Sequence, residues 1–286
     1  MTKATQVTDV VTHHGEGPYW DAAAGRLLLV DMLAGAVVEF EPGSRAVRHG
    51  FGGVTAVIRR RTEGGFVLAV ERGFRMLDDD LQVVGDVQTV FEDPAIRMNE
   101  GGCDPQGRLY LGTMAYEATE GAGTLYRIDA DRTVHEVLPG VTISNGLQWR
   151  ADGRAVFYND TPTHRISRFA FDAASGTFGD RETVVDVPEE QGNPDGLALD
   201  VEGGLWCALY GGHAVHRYDQ DGTLTEVVEL PARDVTSCTF GGPDGTTLYI
   251  TTSRDGWGDA DAEPQAGAVF AHEAGVRGAA QHSFAG

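Results

Sequence analysis

The sequence predicts an all-β protein, a six-bladed β-propeller with four antiparallel strands in each blade. Three observations support this fold class. Two apolar runs joined by a glycine turn recur six times, a second hairpin of alternating polarity follows each recurrence, and glycine is abundant, with 39 Gly against 11 Pro. Short strands joined by many tight turns need that much glycine. Since propellers of this length often form one unit, we expect residues 1–286 to be a single domain.

The repeat is marked by the glycine that ends its first turn. Successive turn glycines lie 39 to 50 residues apart, close to the period that four-stranded propeller blades produce. They are Gly25, Gly64, Gly107, Gly153, Gly203 and Gly245. In the third repeat, for example, the turn CDPQG leads into the apolar run RLYLGT (108–113). Six such repeats predict six blades.

Each repeat also contains a second hairpin, such as VVEFEPGSRAV (37–47) or TLYRIDADRTVHEV (124–137). Alternation of apolar and polar residues around an Asp or Gly turn is typical of half-buried antiparallel strands. Two hairpins make the four strands of one blade. The N-terminal run QVTDVV (6–11) is expected to pair with the last blade, so that strands from the two ends of the chain close the ring.

Composition excludes several classes of partner and chemistry. The chain has 22 basic and 43 acidic residues, a formal charge of −21, which repels phosphate backbones and anionic lipid. We therefore predict neither a nucleic acid nor a membrane partner. The expected state is a monomer or weak homo-oligomer. The only lysine is Lys3, which excludes Schiff-base chemistry at a site in the fold.

The distribution of apolar residues and cysteines along the chain predicts a cytoplasmic location. No run of 18 apolar residues occurs, and the first residues lack the apolar core of a signal peptide. Three cysteines without a CxxC pair are expected to be buried free thiols, as a reducing compartment allows. They are Cys103, Cys207 and Cys238.

A candidate site follows from the phase of the repeat. Eight residues before three of the turn glycines, and nine before Gly25, stand residues with carboxylate or carboxamide side chains. These are Glu16, Asn99, Asn145 and Asp195; the other two repeats hold Thr55 or Ala56, and Ser237. The first strand of a propeller blade is innermost, so equivalent positions face one another across the axis. Oxygen ligands without Cys or His suit Ca²⁺, Mg²⁺ or Mn²⁺, although Zn²⁺ also accepts carboxylate. We therefore predict one divalent metal ion in the channel.

Other constellations carry less weight. Adjacent His13 and His14 point to opposite faces of a strand, so they form no chelate. Ser144, Asp160 and His164 include the residue types of a hydrolytic triad, but the sequence has no GxSxG elbow.

Four segments resemble the SMP-30/gluconolactonase/regucalcin family, and the likeness extends over nearly the whole chain. They are HHGEGPYWD (13–21), RMNEGGCDPQGRLYLGTM (97–114), ISNGLQW (143–149) and NPDGLALD (193–200). The resemblance implies a six-bladed propeller with metal-dependent sugar lactonase activity. It implies that Glu16, Asn145 and Asp195 ligate the metal and that Asp195 is also the general base. Arg97, Asn99 and Glu117 would bind substrate. The chain departs from the pattern at Glu100, where many members have Asp, and at Tyr116, where sugar-binding members often have an acidic residue.

The predicted function is hydrolysis of a sugar-derived lactone, such as gluconolactone, xylonolactone or arabinolactone, to the sugar acid. The expected partner is therefore a small-molecule sugar lactone. Two alternatives remain open at this point. One is hydrolysis of a non-sugar lactone, another ester or an organophosphate. The other is a Ca²⁺-binding regulatory propeller without turnover.

Overall fold

The computed structural model describes residues 2–256 and 263–286, and these form six sheets arranged as a six-bladed β-propeller. The N-terminal segment contributes β1 (Thr2–Lys3) and β2 (Thr5–Gln6). Blade 1 consists of β3 (Gly15–Asp21), β4 (Arg26–Asp31), β5 (Ala36–Phe40) and β6 (Val47–Gly50). Blade 2 consists of β7 (Thr55–Arg60), β8 (Phe66–Val70), β9 (Gly73–Leu77) and β10 (Val83–Thr89). Blade 3 consists of β11 (Ile96–Cys103), β12 (Leu109–Ala115), β13 (Gly123–Ile128) and β14 (Val134–Val141).

The remaining three blades repeat the pattern. Blade 4 consists of β15 (Ser144–Trp149), β16 (Ala155–Asp160), β17 (Arg165–Asp172) and β18 (Thr177–Asp186). Blade 5 consists of β19 (Asn193–Leu199), β20 (Leu205–Tyr210), β21 (Ala214–Tyr218) and β22 (Leu224–Glu229). Blade 6 consists of β23 (Asp234–Gly241), β24 (Thr247–Ser253), β25 (Phe270–Glu273) and the N-terminal β2. The predicted fold class is confirmed.

Burial decreases from the axis outward. This explains why the first hairpin of each repeat contains apolar runs and the second hairpin alternates apolar and polar residues. The second strands β12 and β16 are buried at every position, because each is packed between two neighbouring sheets. They read as continuous apolar runs for that reason. The outermost strand β10 is almost fully exposed. The six turn glycines have φ between 65° and 94°, a region that favours glycine.

Helical structure is minimal. Two single turns of 3₁₀-helix, Thr161–Thr163 and Glu189–Gln191, are the helical elements among the described residues. No helix in residues 2–256 or 263–286 is long and apolar enough to cross a membrane. The three cysteines are buried and unpaired, as predicted.

The N-terminal segment closes the ring in two places. Strand β2 pairs with β25 and becomes the outermost strand of blade 6, which confirms the predicted closure. The backbone N–H of Val11 extends the contact by donating to the carbonyl of Gly267 at 3.1 Å. Strand β1 was not predicted as part of the closure. It pairs in parallel with β22, the outer edge of blade 5.

A C-terminal segment, residues 278–286, crosses the end of the channel at which the inner strands finish. It extends from the junction of blades 5 and 6 to blades 2 and 3. Ala279 N–H donates to the carbonyl of Leu199, and Ala285 N–H donates to the carbonyl of Gly107, both at 2.8 Å. Between these points Gln281 and His282 line a cavity at the same end of the channel. Phe284 is fully buried in the apolar core of blades 1 to 3. The segment therefore joins opposite sides of the ring.

Phe284→Ala is expected to lower the free energy of unfolding by about 3–5 kcal/mol, because it removes a fully buried aromatic ring and leaves a cavity. Denaturant unfolding checks this value. Val201→Ala is the control, since that side chain is 64% exposed. A loss below about 1 kcal/mol would show that the segment is not part of the packed core.

Candidate active site

Every innermost strand has a register shift at the phase that the repeat predicted. Pairing shifts between Glu16 and Tyr19 in β3, between Asn145 and Leu147 in β15, and just before Leu197 in β19. Corresponding shifts occur in β7, β11 and β23. A β-bulge bends its strand and re-aims a side chain. The six bulges lie in one ring around the axis, and four of them present the predicted carboxylate and carboxamide side chains there.

The glycines beside these residues have two different roles. Gly17 has φ of +51°, a conformation that favours glycine and bends the backbone directly after Glu16. Gly146 and Gly196 lack a positive φ, so glycine is needed there for another reason. A Cβ at Gly146 would lie 2.6 Å from the carbonyl oxygen of Asp195, and a Cβ at Gly196 would overlap the side chain of Ser237. These two glycines allow neighbouring inner strands to approach closely.

A chain of hydrogen bonds joins three of the predicted site residues. Arg97 Nη1 donates to Asn99 Oδ1 at 2.8 Å, and Asn99 Nδ2 donates to Asn145 Oδ1 at 3.0 Å. Asn145 Nδ2 in turn donates to Thr161 Oγ1 at 2.8 Å. Arg97, Asn99 and Asn145 are all buried. The chain fixes the orientation of both amides, so that Asn145 has its oxygen on the side of Asn99.

Asp195 is held through its backbone rather than its side chain. Asn159 Nδ2 donates to the Asp195 carbonyl at 2.7 Å, and Thr161 Oγ1 donates to the carbonyl of Pro194 at 2.9 Å. The carboxylate atom Asp195 Oδ1 is buried and has no hydrogen-bond partner within the described part of the chain. The sequence reading missed Asn159 and Thr161, because they lie on and after the second strand of blade 4, outside the phase of the inner strands.

Three buried carboxyl groups influence one another in the channel. Burial raises the pKa of Glu16 to about 8, and the nearby Glu100 adds to the shift. Burial and then the charges of Glu16 and Glu100 raise the pKa of Asp195 well above its ordinary value. Sequence reasoning did not place Glu100 among the charged groups of the site, although its position next to Asn99 in the inner strand was a signal. Carboxylates gathered in this way need a compensating cation.

Two arginines supply part of that positive charge. Arg59 Nη2 lies 3.6 Å from Glu100 Oε1. Arg97 is 8% exposed, burial lowers its pKa, and no ion pair within 4.0 Å involves it in residues 2–256 and 263–286. Its hydrogen bonds all use Nη1, with Met98 O, Asn99 Oδ1 and the sulfur of Met32 as acceptors. Its Nε and Nη2 donors are therefore available to a ligand.

The donor set fits a divalent cation only if an amide oxygen takes part. No group of three or more His, Cys, Asp or Glu side chains arranged to hold a metal ion occurs in the described ranges. Glu16 and Asp195 supply carboxylate oxygens, and Asn145 supplies a carboxamide oxygen from blade 4, which lies between the blades of Asn99 and Asp195. A hard cation with oxygen ligands would give the Asp195 carboxylate a partner. It would also offset the repulsion among the buried carboxylates.

Glu117 is the predicted site residue that the structure does not join to the others. It is exposed, in the turn after β12. Its predicted contact with substrate stays a prediction. The residue before it, Tyr116, lies over Arg97 instead, with 6.0 Å between the guanidinium carbon and the ring centre.

Residues of the triad and chelate candidates that the sequence argued against make other contacts in the fold. Ser144 Oγ accepts a hydrogen bond from the Tyr158 hydroxyl at 2.8 Å. Asp160 accepts the backbone N–H of Ile143 at 2.9 Å. His13 and His14 contact different residues, Asp255 and Ser253. None of them joins a triad or chelate.

The chain has close relatives along nearly its whole length. Residues 14–254 match the family model described as SMP-30/Gluconolactonase/LRE-like region. The chain is 36% identical over 287 residues to regucalcin of Oryctolagus cuniculus, covering 96% of this chain and 95% of the relative. It is 33% identical over 280 residues to a Bacillus subtilis (strain 168) protein provisionally named sugar lactone lactonase YvrE, with 95% of both chains covered.

A solved structure of a regucalcin is also similar to this chain over nearly its whole length. Regucalcin from Agrobacterium tumefaciens str. C58, described as a calcium-binding protein, has a TM-score of 0.91 with this chain at 28% identity. The match covers 99% of this chain and 98% of that one. The chain therefore belongs to the SMP-30/gluconolactonase/LRE-like family, as the motifs of its sequence predicted.

Proposed function

We propose that this protein hydrolyses a sugar-derived lactone, of the aldonolactone class that includes gluconolactone, xylonolactone and arabinolactone, to the sugar acid. Family membership supports lactone hydrolysis at the level of the family. The observation that carries the proposal for this chain is Arg97, a buried cation hydrogen-bonded to Asn99, which in turn donates to the predicted metal ligand Asn145. An arginine at this place can donate to a polar ligand, which a site for a cation alone does not require.

The substrate would be held by polar groups on its hydroxyl side. Arg97 Nε and Nη2 make no hydrogen bond to residues 2–256 or 263–286, since its hydrogen bonds there all use Nη1. Asn99 holds Arg97 Nη1 in place and would lie against the same hydroxyls. Glu117, on the neighbouring turn, would accept hydrogen bonds from substrate hydroxyl groups. Such groups distinguish a sugar lactone from an aliphatic one, because they are left unpaired when the hydroxyls are missing.

Glu16, Asn145 and Asp195 would hold one divalent metal ion. When bound, such an ion polarises the ester carbonyl and stabilises the negative charge that develops on its oxygen. The three residues come from blades 1, 4 and 5, and bulges or close strand contacts position each of them. The identity of the ion, whether Ca²⁺, Zn²⁺, Mn²⁺ or Mg²⁺, is set by its availability as well as by these oxygen ligands.

Asp195 would also act as the general base. A carboxylate has two oxygens, so one can ligate the metal while the other accepts the proton of the attacking water. Neither role competes with hydrogen bonds of Oδ1, since Oδ1 has no partner among the described residues. Water oxygen bonds to the carbonyl carbon, the ring C–O bond breaks, and the ring oxygen takes up a proton to become a hydroxyl. The product is a carboxylic acid, which releases one proton at neutral pH, so turnover acidifies the solution.

A pH-drop assay on a lactone panel tests this function. With a divalent metal present, five- and six-carbon aldonolactones should be hydrolysed at least tenfold faster than aliphatic lactones of the same ring size, and the penalty for missing hydroxyls can reach roughly 10⁴-fold. Equal rates on both classes would indicate a promiscuous esterase. Stoichiometric calcium without turnover of any lactone would indicate a regulatory calcium-binding propeller.

A further inference from the structure

Tyr116 covers the buried guanidinium of Arg97 in the proposed substrate site. The guanidinium carbon of Arg97 lies 6.0 Å from the centre of the Tyr116 ring, within the range of a cation–π contact. Tyr116 is 45% exposed while Arg97 is 8% exposed, so the ring lies between the cation and solvent. Exposed aromatic rings at a channel mouth are available to a ligand as well as to the protein.

A glutamate holds this ring in place. The Tyr116 hydroxyl donates to Glu71 Oε1 at 2.8 Å. Glu71 directly follows β8 in blade 2, whereas Tyr116 follows β12 in blade 3. The Tyr116–Glu71 bond therefore connects two blades at the rim of the channel. A hydrogen bond to a carboxylate is stronger than one between neutral groups.

Both residues are also bound, through their backbones, to the segment that contains Arg97. The Glu71 carbonyl accepts the N–H of Met98 at 2.8 Å, and the N–H of Tyr116 donates to the carbonyl of Ala95 at 3.0 Å. Because these contacts flank Arg97 in sequence, the ring, the carboxylate and the guanidinium have little freedom to move relative to one another. Within the described part of the chain, the hydrogen bonds of the Arg97 side chain are all at Nη1. The ring restricts the orientation of the other two nitrogens.

We propose that Tyr116 and Glu71 are positioning residues, which hold the free Nε and Nη2 donors of Arg97 toward the lactone, and that the Tyr116 ring forms the exposed wall of the lactone site. This inference rests on the proposed function. It assigns substrate affinity to a pair of residues that are not among the predicted metal ligands.

Steady-state kinetics on the metal-loaded protein tests the proposal with Tyr116→Leu, Tyr116→Phe and Glu71→Gln. Tyr116→Leu loses both ring and hydroxyl, so KM for the best aldonolactone should rise about fivefold while kcat stays within about twofold. Tyr116→Phe keeps the ring and should recover part of that loss, with KM up about twofold. Glu71→Gln keeps an oxygen acceptor but loses its charge, so KM should rise by no more than in Tyr116→Phe. The double variant should be no worse than Tyr116→Phe, because both substitutions act on one hydrogen bond.

A readout independent of turnover accompanies the kinetics. Calorimetric affinity for the aldonate product should fall with Tyr116→Leu by a similar factor, while the melting temperature and bound metal stay unchanged. Leu224→Ala, at a 43% exposed position on the outer strand of blade 5, is the matched control and should change none of these. Unchanged KM and product affinity in Tyr116→Leu, or a fall in kcat alone, would overturn the proposal while the proposed function stands. A wild-type protein inactive on every aldonolactone would refute both.

Discussion

Asp195→Asn, assayed with saturating metal, is expected to bind the ion and yet lose at least a hundredfold in kcat. The amide keeps one oxygen for a cation but cannot accept a proton at neutral pH, and general-base assistance is typically worth about 10² to 10⁴ in rate. The structure sharpens this expectation. The backbone of Asp195 is held by Asn159 and its Oδ1 makes no hydrogen bond in the described chain, so the substitution should not break the local fold.

A metal titration separates a base from a ligand. The deficit of Asp195→Asn should persist as metal is raised, because no excess of ion replaces a proton acceptor. Recovery of most of the rate with excess metal would contradict the base role and leave Asp195 as a ligand alone. Asp186→Asn makes the same chemical change at an exposed carboxylate of blade 4 and should leave kcat and bound metal unaltered.

Glu16→Gln is expected to lose bound metal and activity together, and to recover rate as metal is raised. The side chain keeps its size but loses the charge that attracts a cation. Metal affinity should fall at least tenfold, since the remaining carboxylate ligand is Asp195. The thermal stabilisation produced by a fixed metal concentration should fall with it, because bound ligand stabilises the folded state in proportion to RT ln(1 + [L]/Kd).

The metal-free Glu16→Gln protein provides a second measurement. Glu16 is buried near Glu100 and Asp195, and the three carboxylates repel one another when they are ionised. Because the pKa of Glu16 is raised to about 8, folding of the metal-free protein near neutral pH requires this group to take up a proton, a cost that Gln does not have. The melting temperature of the metal-free variant should therefore be equal to or above that of the wild type. Asn145→Ala is the companion variant and should also reduce bound metal. Stoichiometric metal with full lactone turnover in either variant would show that the repeat phase identified the wrong ligands.

The repeat and the phase of the site were predictable because both are local properties of the sequence. Alternating polarity and turn glycines such as Gly107 and Gly153 are set by each strand pair alone, so they identify blades and their order without knowledge of the packing. Once a propeller is assumed, Glu16 and Asp195 must face the same axis, however far apart they lie in sequence. The family motifs lie at these same positions.

Other features depend on how close the blades come to one another, and only the tertiary structure decided them. Gly146 and Gly196 are needed because neighbouring inner strands leave no space for a Cβ, not because the backbone bends there. Glu100 acts on Glu16 and Asp195 because burial removes the solvent that would screen its charge. Tyr116 reaches Glu71 across a blade boundary. Each contact joins residues that are distant in sequence or depends on the dielectric of the packed channel, and neither has a periodic signature along the chain.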